Sequence, residues 1–234
     1  MLRLLSFLPL AILCLGFGLS CQKADERRDI RDFYFPLAEM EQGKVYEFRP
    51  VAGDSLAPFS WQFRAELEGD SAILTGVQFD VEGRPVQRVR EERVGNGMQL
   101  REMQLYAYDS TGRQERVEVD IEAPDVFPFS VRDSGGIFLF KVRWQPPSEP
   151  GVTYTVIKNR RYLGDTTYLF KGRSYDCVAF QVNELFEQDI EGVLEQPFSG
   201  VEFYARGIGL VYYRKDIAEG LRLEYGLADR YEMP

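Results

Sequence analysis

Not one histidine occurs in the 234 residues. Chemistry near neutral pH is therefore left to carboxylates, lysines and thiols whose surroundings shift their ionisation. A Ser-His-Asp triad, a Cys-His pair and a His-ligated zinc site are all excluded. Acids come nearest to a catalytic set. Glycoside hydrolysis needs two carboxyl groups about 5 to 10 Å apart across a cleft, and Glu91, Glu92, Glu102 and Glu118 are the candidates. Glu91 and Glu92 are neighbours, and neighbours on a strand face opposite ways, so these two cannot be the pair. The plainer reading places all four acids on solvated strand faces. No catalytic residue, cofactor or metal site is expected.

Two other groups of side chains could recognise something. Arg84, Arg88, Arg90 and Arg93 form the densest basic cluster. Arg88 and Arg90 share a strand face, and guanidinium geometry suits phosphate or carboxylate, so these two are candidate contacts for an anionic group. Interleaved Glu82, Glu91 and Glu92 point instead to a charge-balanced exposed strand. In "GIFLFKVRW", Phe138, Phe140, Val142 and Trp144 fall on one face. They could line a ligand groove or belong to a packed core. A formal charge of −9 lacks the dense basic surface that releases counterions from nucleic acid, so no nucleic-acid partner is expected.

The three cysteines are Cys14, Cys21 and Cys177. Cys14 lies inside an N-terminal apolar run. Cys177 has no partner for an internal disulfide and reads as a small buried apolar side chain. Residues 1–20 have Arg3, then an apolar stretch, then small residues, the layout of a secretory signal peptide. Pro9, Gly16 and Gly18 make the stretch a poor permanent span, and its length is at the lower limit for crossing a bilayer. The Ser20-Cys21 junction resembles the lipobox of bacterial lipoproteins, with glycine at position 18 where leucine is usual. That resemblance implies cleavage before Cys21 and acylation of its thiol, as by palmitate. Two or more chains hold firmly, at about 0.8 kcal/mol per buried methylene. The following "CQKADE" resembles the export signal of surface lipoproteins in Bacteroidota, which implies an outer-membrane, cell-surface placement. An ordinary polar tether is the alternative. Residues 21–32 are expected to be the lipidated cysteine and a solvated spacer.

The elements that must position any site read as β-structure. Turn signals at 68–71, 81–85, 95–97 and 109–113 divide 59–122 into five consecutive strands. The proline-containing stretch 123–135 reads as a crossing loop. About three strands are expected over 154–182, with a turn at 171–174. Residues 184–196 are ambiguous, since Phe186, Ile190, Val193 and Leu194 fit a helical face that Gly192 weakens. About a dozen strands in a single flat sheet would leave long edges exposed. The expected fold is therefore all-β: a curved antiparallel sheet, half-barrel or barrel, with at most one or two short helices, forming one domain over 33–234.

"FYARGIGLVYY", residues 203–213, resembles the YAxGxGLV hairpin of uncharacterised bacterial envelope lipoproteins. "FYFPLAEMEQGKVYEF" and "GRSYDCVAFQV" resemble other parts of that group. The resemblance implies an antiparallel sheet curved round an apolar face, similar to periplasmic lipoprotein-carrier folds, and brings no activity or catalytic residues. Read by itself, the motif is structural, because Gly207 and Gly209 permit a tight turn or bulge at positive φ. No helix pattern follows to receive a phosphate. The expected function is a non-catalytic, membrane-anchored envelope protein that binds a ligand or another envelope protein. A carrier or sensor of an apolar or lipid ligand is the alternative, and a carbohydrate-active enzyme the remotest.

Overall fold

The computed structural model describes residues 27–51, 56–109, 111–132 and 135–234. The expected signal peptide, Cys14, the lipidation site Cys21 and most of the expected tether lie outside the described residues. Fifteen strands occur among those described. β1 (Arg28–Asp29) is followed by two single-turn 3-10 helices, Arg31–Phe33 and Leu37–Met40. Then come β2 (Lys44–Pro50), β3 (Phe59–Glu68), β4 (Ser71–Phe79), β5 (Pro85–Val94), β6 (Gly97–Tyr108) and β7 (Gln114–Glu118). Next are β8 (Asp120–Pro128), β9 (Ser130–Val131), β10 (Phe138–Trp144) and β11 (Thr153–Phe170). β12 (Arg173–Asp189), β13 (Val193–Ala205), β14 (Gly209–Ala218) and β15 (Leu221–Glu232) complete the set.

The sheet closes on itself. Starting from β2, the neighbours run β3, β4, β5, β6, β8, β10, β11, β12, β13, β14, β15 and back to β2, all antiparallel. Twelve described strands thus make a barrel, and β7 adds a thirteenth on the flank of β6. Closure removes the long edges that a flat sheet would present. Ion pairs cover much of the outer wall. Arg88 and Arg90 both reach Glu102 at 3.3 Å, and Glu122 takes Lys141 at 2.7 Å and Arg143 at 3.5 Å.

A ring this wide encloses space that something must fill. One end is filled by aromatic side chains and by the chain's own start. Ile30, Phe33, Tyr34 and Met40 are buried there. The Phe35 ring lies 4.5 Å from that of Phe63, 5.4 Å from Tyr46 and 5.2 Å from Tyr34, contacts each worth about 0.5–1.5 kcal/mol beyond area burial. The turn of the glycine motif clasps this plug. Gly207 N–H donates to Asp32 O at 2.8 Å, Arg206 pairs with Asp32 at 3.0 Å, and the Tyr46 hydroxyl donates to Ile208 O at 2.7 Å. Gly207 has φ +70° and Gly209 φ +100°, and a Cβ on Gly209 would sit 2.4 Å from the Phe35 ring.

Four expectations change. The solvated spacer stops short of Arg28, because Arg28 and Asp29 pair with Val131 and Ser130 and Ile30 is fully buried. The crossing loop over 123–135 is mostly strand. Pro124 and Pro128 are accommodated where the ladders shift register, near Lys141/Val142 and Met98/Gln99. The helical alternative for 184–196 gives way to the β12–β13 hairpin, whose pairing to β11 overrides the local period. The stretch 154–182 holds two long strands in place of three short ones, with the turn at Lys171 and Gly172 where expected.

Candidate functional site

Antiparallel partners share a face, so the register identifies which side chains look into the barrel. Phe180 and Tyr204 are buried inside, and the same alternation points Arg160, Val182, Glu202 and Glu91 inward. A polar network therefore crosses the middle of the barrel. Arg160 Nε donates to Glu202 Oε2 at 2.8 Å, and the Tyr204 hydroxyl donates to the same oxygen at 2.9 Å. Burial works to raise the Glu202 acid, but the Arg160 charge and hydrogen bond outweigh it and hold the carboxyl below the usual range. Burial likewise opposes the Arg160 charge, yet Glu202 keeps the guanidinium firmly protonated. Breaking such a pair by removing one partner costs about 3–5 kcal/mol.

Glu91 lies at the plug. It is 9% exposed and accepts a short hydrogen bond from the Tyr34 hydroxyl. Burial pushes its acid up to about 7, against the pull of Tyr34 and Arg160. The expectation of a solvated Glu91 is thus overturned. Glu91 and Val89 are two residues apart on β5 and share the inward face, a parity that the run of neighbouring charges disguised.

The half of the barrel away from the plug is more open. There Lys158 stands opposite Glu184, Glu184 opposite Phe198, and Lys215 between Gly200 and Leu223. Lys158 Nζ is 3.1 Å from Glu184 Oε2, and Lys215 bonds the other oxygen. Burial would raise Glu184, but these two ammonium groups hold it below its ordinary range. The Lys215 ammonium also lies 4.1 Å from the Phe198 ring centroid. A cavity of about 250 Å³ opens among these residues, with Val182, Tyr213 and Leu223 as its apolar wall.

The expected site residues fall in different places. Phe138, Phe140, Val142 and Trp144 face the interior, opposite Arg160, Lys158, Val156 and Tyr154. Val142 packs in a small core with Val89, Leu100 and Val119. Trp144 stacks on Tyr154 at 5.6 Å, and Tyr154 on Phe186 at 5.5 Å. Arg88 and Arg90 stand on the outer wall, both held by Glu102. The four acids are not brought together: Glu92 pairs with Arg101 and Glu118 accepts from Gln104 on the outside, while Glu91 is inside. Cys177 is 1% exposed, and burial pushes its thiol up to about 11. Lys158, Arg160, Glu184, Glu202 and Lys215 were missed. Their only sequence signal is charge at two-residue spacing, as in Lys158 and Arg160, which ordinarily marks an outer face.

No protein-family model matches the chain, and no curated protein matches it. Solved structures do, among them two that overlap most of the chain. One, of a candidate lipoprotein from Parabacteroides distasonis, superposes with a TM-score of 0.52 at 12% identity, over 85% of this chain and 98% of the other. The second, an exported protein with a YmcC-like fold from Bacteroides fragilis, gives 0.54 at 11% identity, over 86% and 99%. The chain is thus similar over nearly the whole length of two such proteins, and at that identity the likeness is one of fold.

Proposed function

We propose that the protein is a lipid-anchored envelope protein that works by binding. The observation that carries this reading is the division of the barrel interior. The chain's own N-terminal segment seals one end, and a cavity remains at the other. The four carboxylates weighed from the sequence do not face one another across a cleft: Glu92, Glu102 and Glu118 are tied to neighbouring side chains outside, and Glu91 is locked to Tyr34 inside. The Ser20-Cys21 junction supports the anchor, and the shared fold of an exported protein and a candidate lipoprotein supports an envelope location. The stretch after Cys21 favours the outer membrane and the cell surface. The anchor is tested by feeding cells radiolabelled palmitate. Label is expected in the wild type and absent from Cys21→Ser, and equal labelling would remove the anchor. Proteolysis of intact cells reads the facing, with cleavage expected for a surface protein and full protection overturning that placement.

The carrier reading is favoured for a ligand with an anionic end. An entirely apolar ligand would take from water two ammonium groups that share the single acid Glu184, which is costly.

A further inference from the structure

We infer that the open cavity is a site for a small organic anion, a single carboxylate on a short apolar body. This deepens the binding reading and rests on it. The charges at the cavity do not balance. Lys158 and Lys215 share one acid, Glu184, each taking one of its oxygens. The cavity's other acid, Glu202, is already engaged by Arg160 and Tyr204. Arg214, the third cation of the lining, pairs with Asp216 at 3.2 Å, so Lys158 and Lys215 face one available carboxylate.

An ammonium carries three donors, and Glu184 accepts one from each lysine. The side chains of Lys158 and Lys215 are 31% and 28% exposed, whereas Glu184 is 11% exposed. The lysine heads thus reach the open space while the acid behind them holds them in position. Phe198 beneath Lys215 fixes that head further. A ligand carboxylate would take the spare donors and restore neutrality.

The rest of the wall sets the body of the ligand. Val182, Leu223 and the rings of Phe198 and Tyr213 present apolar surface. At ~30 Å³ per water-sized group, the 250 Å³ volume takes about eight such groups, the size of a six-carbon acid.

The test uses the processed chain, residues 21–234 with Cys21→Ser, titrated calorimetrically at millimolar concentrations of hexanoate, 1-hexanol, hexylammonium and glucuronate. Hexanoate is expected to bind at one site, roughly tenfold tighter than hexanol, since a charge-assisted contact is lost in the alcohol. Hexylammonium and glucuronate should not saturate. Lys215→Met keeps an apolar stem and should bring hexanoate down to the level of hexanol. Glu184→Gln frees both ammonium groups and should tighten hexanoate severalfold. Hexanol binding as well as hexanoate, a preference for hexylammonium or glucuronate, or saturation by none of the four would overturn the inference. The wild-type ranking decides the matter even if a variant does not fold. The anchor stands or falls separately, on palmitate labelling.

Discussion

Stability should fall as pH rises from 5 to 8, and Glu91 is the reason. Its acid is pushed up to about 7 from an ordinary 4.5, chiefly by burial. A group whose folded pKa is raised binds its proton more tightly when folded. Below 4.5 both states are protonated and the folded state bears no penalty. Above it the unfolded acid ionises while the buried one holds its proton, so the loss grows until about 7 and then levels off. At about 1.4 kcal/mol per pH unit, linkage removes about 2.5 kcal/mol between pH 5 and pH 8. With no histidine in the chain, the usual source of a slope in this window is missing. Urea unfolding followed by tryptophan fluorescence at fixed salt would read the change. For m of about 2–3 kcal/mol/M the midpoint should drop by about 1 M. Glu91→Gln keeps the shape and carries no ionisable proton, so its midpoint should be level across the range. A wild-type midpoint that holds steady or rises from pH 5 to 8, or an equal slope in Glu91→Gln, would refute the reasoning.

Three further outcomes are expected. Gly209→Ala places a methyl group against the Phe35 ring at a positive φ and should cost at least ~2 kcal/mol; limited proteolysis should then cut near residues 30–40 first, and an unchanged melting temperature would argue against a packed plug. Glu202→Ala strands the Arg160 guanidinium and should cost about 3–5 kcal/mol, whereas a loss below 1 kcal/mol in urea unfolding would mean that water reaches Arg160. Cys177, buried with its thiol pushed up to about 11, should resist Ellman's reagent at pH 8 in the native protein and react on unfolding; rapid native reaction would contradict its burial.

The turn residues made most of the barrel legible. Asp109 with Gly112, and Lys171 with Gly172, close hairpins where their types allow tight reversals. The alternation at Phe138, Phe140, Val142 and Trp144 was readable as one shared face, and that face turns inward. What stayed open was the choice between a half-barrel and a closed ring, because the pairing of β2 with β15 joins residues more than 170 positions apart and leaves no local trace. For the same reason the charged interior was unreadable. Lys158, Arg160 and Glu184 alternate as outward residues normally do, and only tertiary pairing turns them toward one another. The plug was hidden by its neighbours: Ile30 sits among Arg27, Arg28, Asp29, Arg31 and Asp32, so a buried anchor looked like part of a hydrated leash.

Because β15 lies between β2 and β14, it acts as the last stave of the cask. Its twelve residues are synthesised after every other strand of the wall, so until they arrive two flanks keep bare N–H and C=O groups able to pair with another chain. Assembly is thus committed at its final step. A copy ending before Leu221 should scatter light as it self-associates, and a clear, monomeric solution of that copy would show that the hoop can tighten without its closing piece.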